Sequence, residues 1–391
     1  MLKIGIRNFA GDDWTGGGTY LKNLLQAIRA VKNEEVQVSL LVFKGASTQS
    51  YEPFRDYISD VIEIPPLDES KFVYKLKYKI ARRLRLSEVE NSFSTLLRNK
   101  EISAVFATDT FGDGFKIPIF FWVQDLQPLR MPNFFSMADV KAAKNSIEYI
   151  VKSSNKVVLS SISAQHDFEY FFPEYRSKIK VLKFVAQVPQ FIYDRDPSWI
   201  CDQYDLPERF FYLPNQFWVH KNHLAVIEAL VLAKEAFPEI AIVCTGNTND
   251  FRDRLYFSKM LTKIAELKLR NNFFILGLVP HEHVYWLMRQ SVGIIQPSFF
   301  EGWSTTVEEA KSLGKNIILS DIEVHREQNP PDARYFNPEN IDLLAGLLRD
   351  EFENRKPGPS WELENQARAS LLERTIEFGN YFLQILKTRE K

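Results

Sequence analysis

The chain has 391 residues, of which 45% are hydrophobic, 14% aromatic and 25% charged, a composition that excludes a wholly disordered protein, a collagen-like repeat and a coiled coil. Its 49 basic and 50 acidic side chains leave a net charge of −1, which argues against a dedicated nucleic-acid-binding protein. Two cysteines are too few for a disulfide framework, and neither a signal peptide nor a membrane-length apolar run is evident. We therefore expect a cytoplasmic protein.

Short apolar runs rich in β-branched residues alternate with longer helical patterns, which is typical of parallel sheets covered by helices on both faces. A first series predicts strands at 2–7, 36–43, 104–108, 117–124, 156–160 and 180–183. A second series predicts strands at 210–213, 240–245, 272–277, 293–296 and 316–320. We predict an α/β protein with two doubly wound, Rossmann-like domains.

The stretch 188–198 separates the two series. It contains Pro189 and Pro197 among turn-forming Asp and Ser residues, so neither a helix nor a strand runs through it. We predict domains over 1–190 and 200–391, with the final helical pattern able to pack back on the first domain. Because ligands bind at the carboxyl ends of parallel strands, we expect the site in a cleft between the domains.

A glycine run follows the first predicted strand. Gly16, Gly17 and Gly18 carry no Cβ, so the backbone there can take positive φ angles and approach a ligand closely before a helix begins near Tyr20. The run alone also fits a flexible turn. The absence of a GxGxxG sequence and of a Walker lysine argues against hydride-transfer enzymes and P-loop NTPases.

Residues 71–87 contain seven cations and no acid, interleaved with apolar side chains. This pattern fits an interfacial segment that contacts anionic lipid or a lipid diphosphate. It equally fits a solvated helix whose apolar side packs on the sheet, and the sequence leaves both interpretations open.

The sequence Asp194-Arg-Asp196 has the DxD spacing of manganese sites that bind nucleotide sugars. It lies beside Pro197 in the predicted linker, where a turn explains it better. We therefore predict no essential metal.

The first strand of the second series ends in a polar loop that leads into a helix from about Leu224. Lys221 can offer a compact cation to a phosphate, while Asn215 and Gln216 can form hydrogen bonds without charge. The two histidines of this loop, His220 and His223, have no third ligand in view. We expect them to cap the helix or face solvent.

Another loop delivers a helix after the strand that ends near Gln296. Thr305 and Glu308 have the spacing of a capping box, and Gly314 is placed to close the helix in a left-handed conformation. The sequence therefore predicts an exposed helix amino terminus beside the end of a buried strand.

This helix start is suited to an anion. Unpaired backbone N–H groups at Trp303, Ser304 and Thr305, together with the helix dipole, would accommodate a diphosphate. Glu301 precedes the helix and Glu309 lies in its second turn. Carboxylates cannot ligate a phosphate directly, so we expect them to accept hydrogen bonds from flanking hydroxyls, as on a ribose and a sugar.

Glu301 and Glu309 form a Glu-x7-Glu pattern. Together with the glycine run and the segment 320–327, this pattern resembles the retaining, nucleotide-sugar-dependent glycosyltransferases of GT-B fold, of the group 1 or family 4 type. The loop 215–223 is similar to the phosphate-binding segment of a bacterial surface-polysaccharide subgroup. The resemblance covers most of the chain and implies two Rossmann-like domains facing a central cleft.

The resemblance also implies roles for individual residues. Glu309 would hold the ribose hydroxyls and Glu301 would contact the donor sugar, while the amides of 303–305 and the cation of Lys221 would hold the diphosphate. The sugar would leave with retained configuration through a short-lived oxocarbenium ion, and a diphosphate oxygen would serve as base. No protein nucleophile, cofactor or metal is then required beyond the donor substrate.

The sequence departs from the family pattern at two positions. An Arg usually precedes the phosphate-binding Lys, and here Asn215 stands in that place; many members carry a His where Gln124 stands, which makes its neighbour Asp125 a catalytic candidate. Gly17 and Gly18 would let the first domain approach the donor, as the resemblance implies.

We expect transfer of a hexose from a nucleoside-diphosphate sugar to a cell-surface glycan or lipid-linked acceptor in polysaccharide or lipopolysaccharide synthesis. Residues 71–87 would give a peripheral contact with the inner face of the membrane, and no nucleic acid is involved. A nucleotide-sugar epimerase or a phosphorylase on the same fold is an alternative. A non-catalytic nucleotide-sugar-binding protein is another, since the usual Arg and His are missing.

Overall fold

The computed structural model of the protein describes residues 1–9, 15–65 and 91–387. These residues form two compact units. The first unit holds the described residues of 1–126, 141–184 and 374–387, and the second holds 127–140 and 185–373. The basic segment 71–87, and with it the predicted lipid contact, lies outside the described residues.

Each unit is built on a parallel sheet. The first sheet has the order β3-β2-β1-β4-β5-β6-β7, with strands β1 Leu2–Arg7, β2 Val36–Phe43, β3 Asp60–Ile64, β4 Ala104–Ala107, β5 Ile119–Val123, β6 Lys156–Leu159 and β7 Ile179–Val181. The second has the order β10-β9-β8-β11-β12-β13, with strands β8 Phe211–Pro214, β9 Ile242–Thr245, β10 Phe273–Ile275, β11 Gly293–Gln296, β12 Ile317–Ser320 and β13 Arg334–Phe336. All pairings within these two sheets are parallel.

Helices connect the strands. In chain order the described α-helices are α1 Thr15–Ala30, α2 Ser92–Asn99, α3 Gln127–Arg130, α4 Met137–Ser153, α5 Ile162–Phe171, α6 Gln190–Asp194, α7 Trp199–Tyr204, α8 His223–Lys234, α9 Tyr256–Glu266, α10 His281–Gln290, α11 Thr305–Leu313, α12 Glu323–Gln328, α13 Ile341–Asn354 and α14 Trp361–Lys387. Short 3-10 helices lie at Thr48–Ser50, Glu52–Tyr57, Pro132–Phe134, Pro173–Lys178 and Val219–Lys221. None of the described helices combines the length and apolar character that a membrane span requires.

The two predicted parallel sheets are confirmed, and β1, β2 and β11 have the predicted bounds. The predicted strands omit β3 and β13, which are edge strands. β3 alternates exposed and buried positions, and β13 has only three residues, so neither shows the continuous apolar run of a strand buried on both faces.

Alternate residues of the second sheet enter separate apolar clusters, as the pleat of a strand requires. Phe211 and Leu213 of β8 lie in one cluster with helices α8 and α13, whereas Tyr212 lies in another with α10 and α11. Apolar packing on both faces fixes the strand ends that carry the polar loops.

The glycine run does not form a loop. Helix α1 begins at Thr15, so Gly16, Gly17 and Gly18 lie in its first turn, and the predicted start near Tyr20 is wrong. The ring of Tyr20 stacks on that of Trp122 with centroids 3.7 Å apart, which anchors this end of the helix to β5. Apolar packing therefore overrides the low helix propensity of glycine.

Each sheet contains one point where the strand order reverses. The first strand of each unit lies inside its sheet, with β1 between β2 and β4 and with β8 between β9 and β11. Connections leave in opposite directions on the two sides, so a crevice opens at the carboxyl ends of the strands. We call these crevices the first switch point (β1 and β4) and the second switch point (β8 and β11).

Candidate active site

A buried ion pair lies beside the second switch point. Nζ of Lys221 donates to Oε1 of Glu301 at 2.6 Å, and the two side chains are only 13% and 10% exposed. Lys221 ends a 3-10 helix, and Asn222 then takes a left-handed conformation with φ of 57° to open α8. The short turn places the cation directly over the loop that follows β11.

Gln296, the last residue of β11, connects this ion pair to the sheet. Its Nε2 donates to Oε1 of Glu301 at 2.8 Å, and its Oε1 accepts from Nδ2 of Asn215 at 2.7 Å. Nε2 also lies 3.3 Å from Oγ of Ser298 and 3.2 Å from Oγ of Ser304. The amide of Asn215, predicted to bind donor, is therefore engaged in positioning Gln296 and through it Glu301.

The carboxyl of Glu301 is ionised at neutral pH. Burial raises its pKa, but the charge and hydrogen bond of Lys221, with a smaller contribution from His325, leave the pKa below its usual value. Burial lowers the pKa of His325 to about 4, so this ring is neutral. Glu301 can accept hydrogen bonds and stabilise positive charge, but it holds no proton to donate.

The start of α11 differs from its predicted form. Ser304, not Thr305, is the N-cap, and its Oγ accepts from the amide of Val307. The amide of Ser304 donates to Oε1 of Gln328 at 3.2 Å, while Nε2 of Gln328 donates to the Ser304 carbonyl at 2.9 Å. The predicted unpaired N–H at Ser304 is therefore wrong, whereas the amides of Thr305 and Thr306 donate to none of the described residues.

The carboxylate of Glu308 has a structural role instead of the predicted capping role. Its Oε1 accepts from Nζ of Lys311 at 3.3 Å and from Nε2 of Gln328 at 3.2 Å. The predicted left-handed end of the helix is confirmed, since Gly314 has φ of 63°. A Cβ on Gly314 would lie 2.3 Å from the carbonyl oxygen of Leu363, so only glycine fits there.

Glu309 lies one turn after Thr305, the first residue of α11. It is buried, and its Oε1 lies 3.1 Å from Nε2 of His281, whose side chain is 50% exposed. His281 begins α10 directly after Pro280, and its ring lies 4.8 Å from that of Tyr285. The carboxylate and the imidazole together offer an acceptor and a second polar group to a hydroxylated ligand.

Gln216 connects two neighbouring loops. Its Oε1 accepts from the amide of Asn247 at 2.6 Å. The residue before, Gly246, has φ of 147°, and a Cβ there would lie 2.3 Å from the carbonyl oxygen of Asn215. The loop after β9 is thus held against the loop after β8. Since Oε1 of Gln216 is already used, its side-chain NH2 group is the part that can contact a donor substrate.

His220 and His223 are both buried, so the prediction that they cap the helix or face solvent is wrong. The ring of His223 lies 4.7 Å from that of Phe217, and burial lowers its pKa to about 3. Among the described residues, no group of three or more His, Cys, Asp or Glu side chains could hold a metal ion.

The Asp194-Arg-Asp196 segment forms the end of a helix and a turn. Oδ1 of Asp194 accepts from Nε2 of Gln190 at 2.9 Å, and Oδ1 of Asp196 accepts from the amide of Ser198 at 2.9 Å. Both carboxylates are therefore used in local hydrogen bonds.

The predicted residues of the first unit lie at the carboxyl edge of its sheet or in the following helix. Gln124 and Asp125 come directly after β5 and are half-buried, while Gly17 is buried and Gly18 half-buried in α1. Their predicted roles stay predictions.

Sequence reasoning missed Gln296 as more than a strand end, and it missed Gln328 and His281 altogether. His325 lies in the segment 320–327 of the resemblance, but it was given no role. One signal was available for Gln296, because a polar residue that closes an otherwise apolar strand at a switch point faces the ligand crevice. The capping by Gln328 joins residues 24 positions apart and has no local signature.

Comparisons with known proteins show which family and which folds the chain resembles. Residues 204–369 match the family model of the glycosyl transferases group 1. No curated protein matches the chain in a sequence search. The structure is similar to a glycosyltransferase from Rickettsia africae, with 17% identity, a TM-score of 0.65 and coverage of 99% of this chain and 98% of that chain.

Two further solved structures show the same similarity. The Anabaena protein HepE in complex with UDP-glucose has 15% identity, a TM-score of 0.64 and coverage of 98% of both chains. Sucrose-phosphate synthase from Thermosynechococcus elongatus has 14% identity, a TM-score of 0.63 and coverage of 99% of this chain and 96% of that chain. The predicted GT-B fold and the resemblance to group 1 glycosyltransferases are confirmed.

Proposed function

We propose that this chain, which has the GT-B fold and matches the group 1 glycosyltransferases over residues 204–369, is a retaining hexosyltransferase. It would move a hexose from a nucleoside-diphosphate sugar to a cell-surface glycan or lipid-linked acceptor. The observation that carries the proposal is the buried Lys221–Glu301 pair next to the start of α11.

The diphosphate of the donor fits the positive groups of this site. The ammonium of Lys221 donates one N–H to Glu301 and has two further N–H groups for phosphate oxygens. The amides of Thr305 and Thr306 and the positive end of the α11 dipole would complete the set. Since the amide of Ser304 is bonded to Gln328, we place the phosphate contacts on the first helical turn itself.

Glu301 would act on the donor sugar as an ionised carboxylate. In the reaction the bond between the anomeric carbon and the diphosphate oxygen breaks, and the acceptor oxygen bonds to the anomeric carbon on the same face. The acceptor proton passes to a diphosphate oxygen. A fixed carboxylate accepts hydrogen bonds from sugar hydroxyls and stabilises the positive charge that develops on the sugar. Lys221 stabilises the leaving group.

Glu309 would accept hydrogen bonds from the ribose hydroxyls, with His281 as a neighbouring hydrogen-bonding group. HepE was solved with UDP-glucose, which makes a uridine nucleotide the first donor to test. No metal or cofactor is included in the proposal, because Lys221 and the helix terminus supply the positive charge.

Thermal unfolding with a panel of nucleoside diphosphates and their sugar conjugates, without metal, tests the donor site. A ligand at 100 times its dissociation constant should stabilise the native chain by about 2.7 kcal/mol. Glu309→Ala should lose this shift. Glu308→Gln is the matched control, because its carboxylate serves Lys311 and Gln328, so it should lower basal stability while keeping the ligand-induced shift.

Three outcomes would redirect the proposal. No shift with any nucleotide at millimolar concentration would contradict a donor site. Conversion of the donor sugar without an acceptor would indicate an epimerase. Nucleotide binding without transfer to any acceptor would favour the non-catalytic interpretation, which is motivated by Asn215 in place of the usual Arg.

Peripheral membrane contact through residues 71–87 is a separate part of the proposal. Seven cations interleaved with apolar side chains suit an anionic surface. Co-sedimentation with anionic vesicles at low salt, compared with neutral vesicles, checks it; absence of binding to anionic vesicles would rule out this contact.

A further inference from the structure

A buried arginine lies at the first switch point, far along the sequence from the residues of the proposed donor site. Arg7 is the last residue of β1 and only 6% exposed. Its guanidinium carbon lies 3.6 Å from the centroid of the Phe43 ring at the end of β2. Asp109, two residues beyond β4, approaches it with Oδ2 3.5 Å from Nη2. The guanidinium therefore lies where the strand order reverses.

The guanidinium of Arg7 is poorly satisfied. It makes no hydrogen bond to any residue that the structure describes, and its 3.5 Å ion contact is longer than the 2.7–2.9 Å typical of charge-assisted hydrogen bonds. The carboxylate of Asp109 is 54% exposed and thus mostly hydrated. Burial lowers the pKa of Arg7, but a guanidinium remains charged in proteins. Because the guanidinium makes no hydrogen bond to a described residue, its N–H groups are left for solvent or for a ligand.

Arg289 shows what a structural arginine looks like in this protein. It is fully buried, and its Nε and Nη2 donate to the carboxylate of Glu364 at 2.8 and 3.1 Å. Its Nη1 donates to the carbonyl of Arg195 at 2.6 Å. Arg7 has the burial of such a residue without its hydrogen bonds, which a purely structural role does not explain.

We propose that the first switch point binds an oxyanion, a carboxylate or a phosphate, through the guanidinium of Arg7. Taken with the proposed function, on which this step rests, the oxyanion belongs to the acceptor, so the enzyme takes an acidic acceptor. The planar fork of an arginine pairs with either group through two parallel hydrogen bonds. Stacking on Phe43 fixes the plane of the guanidinium, and Asp109 is the anion beside it in the absence of a ligand.

Calorimetric titration of the full chain with sodium glucuronate, methyl phosphate and glucose tests the site. We expect binding of at least one anion and none of glucose, and the comparison of the two anions distinguishes a sugar carboxylate from a phosphate. Arg7→Gln should weaken anion binding at least 10-fold, and Arg7→Lys should weaken it less. Asp109→Asn removes the competing carboxylate and should tighten binding about threefold or more.

The direction of the Asp109→Asn effect separates a binding site from a structural ion pair. If the pair only stabilises the sheet, removing either partner lowers stability and neither changes anion affinity. Failure of the native chain to bind either anion, or equal anion binding by native chain and Arg7→Gln, overturns the proposal. Asp109→Asn retains Arg7, so the test does not depend on the folding of the Arg7 variants.

A separate titration with UDP keeps the two proposals distinguishable. Lys221→Gln should lose UDP binding and keep glucuronate or methyl phosphate binding, whereas Arg7→Gln should do the reverse. Anion binding through Arg7 without nucleotide binding would leave this site standing and contradict the donor site. In a transfer assay, Arg7→Gln should raise KM for an acidic acceptor about 10-fold and leave KM for the donor unchanged.

Discussion

The two switch points have the same topology and opposite chemistry. At the first, the charge of Arg7 has only a 3.5 Å contact with Asp109. At the second, two neutral amides form a hydrogen bond, with Nδ2 of Asn215 2.7 Å from Oε1 of Gln296. Gln296 in turn donates a hydrogen bond to Glu301. One crevice is completed by its own hydrogen bonds, and the other has a charge that a ligand can complete.

Under the two proposals, this difference would decide how each unit binds its ligand. A site that acts on a reacting sugar gains from fixed geometry, because a small misplacement of a catalytic group costs much of the rate. A site that only captures an acceptor gains from an unsatisfied charge, because the binding energy is released when the ligand arrives. Breaking the second network should therefore affect rate, whereas altering the first should affect affinity.

The largest effect is expected from Lys221→Met. It leaves Glu301 buried without its counterion, which should raise the pKa of that carboxyl and cost about 3–5 kcal/mol of unfolding free energy. Transfer should fall at least about 100-fold, because the leaving group loses its cation. Urea unfolding and steady-state kinetics measure the two effects.

A double variant provides the control for this substitution. Adding Glu301→Gln to Lys221→Met removes the uncompensated charge, so the unfolding free energy should recover part of the loss while transfer stays low. Equal stability of the two variants would contradict a coupled buried pair.

Gln296→Glu tests whether the second switch point is a positioning network. The substitution keeps the shape of the side chain and places a like charge beside Glu301, which should raise the pKa of that carboxyl. The acid limb of the pH profile of kcat should move to higher pH, and kcat should fall about 10-fold. Gln296→Leu removes one hydrogen bond to Glu301 without adding a charge, so it should lower kcat and move the limb less. Identical pH profiles for both variants would contradict the role.

The strands at the two switch points were predictable because buried parallel strands are continuous apolar runs, as in β1 and β11. The Glu-x7-Glu pattern located Glu301 and the loop 215–223 located Lys221. Neither predicted their contact, since 80 residues separate them. The cap of α11 was assigned wrongly because Ser304 caps the helix, and because Gln328, from another helix, accepts from the N-cap amide that a capping box assigns to Glu308. Local spacing predicts elements, and contacts between distant residues decide which polar groups remain open.

The comparison also predicts where the chain is sensitive to acid. The second unit holds the buried rings of His220, His223 and His325. Burial lowers the pKa of His220 well below its usual value and lowers those of His223 and His325 to about 3 and about 4, whereas the histidine of the first unit, His166, is exposed. An unfolded imidazole titrates near 6.5, so the unfolded state binds more protons below that pH and stability falls. Each ring should cost about 1.4 kcal/mol between pH 7.5 and 5.5.

Urea unfolding at the two pH values checks this expectation. His325→Asn should reduce the pH dependence by about a third, since one of the three buried rings no longer titrates. His166→Gln should leave it unchanged, because this side chain is exposed and is not one of the buried rings. An equal reduction by both variants would place the acid sensitivity outside the buried histidines.

The smallest expected effect is that of a chelator. If Lys221 and the first turn of α11 supply all the positive charge that the leaving diphosphate needs, millimolar EDTA should leave kcat unchanged, and added Mn²⁺ or Mg²⁺ should not raise it. Titration of EDTA into a transfer assay, with Lys221→Gln assayed in parallel, checks this. A chelator-dependent loss that Mn²⁺ restores would mean that the fixed charges of the second switch point are insufficient. Rescue of Lys221→Gln alone by Mn²⁺ would instead show that a divalent ion can replace the ammonium, which identifies diphosphate neutralisation as the task of Lys221.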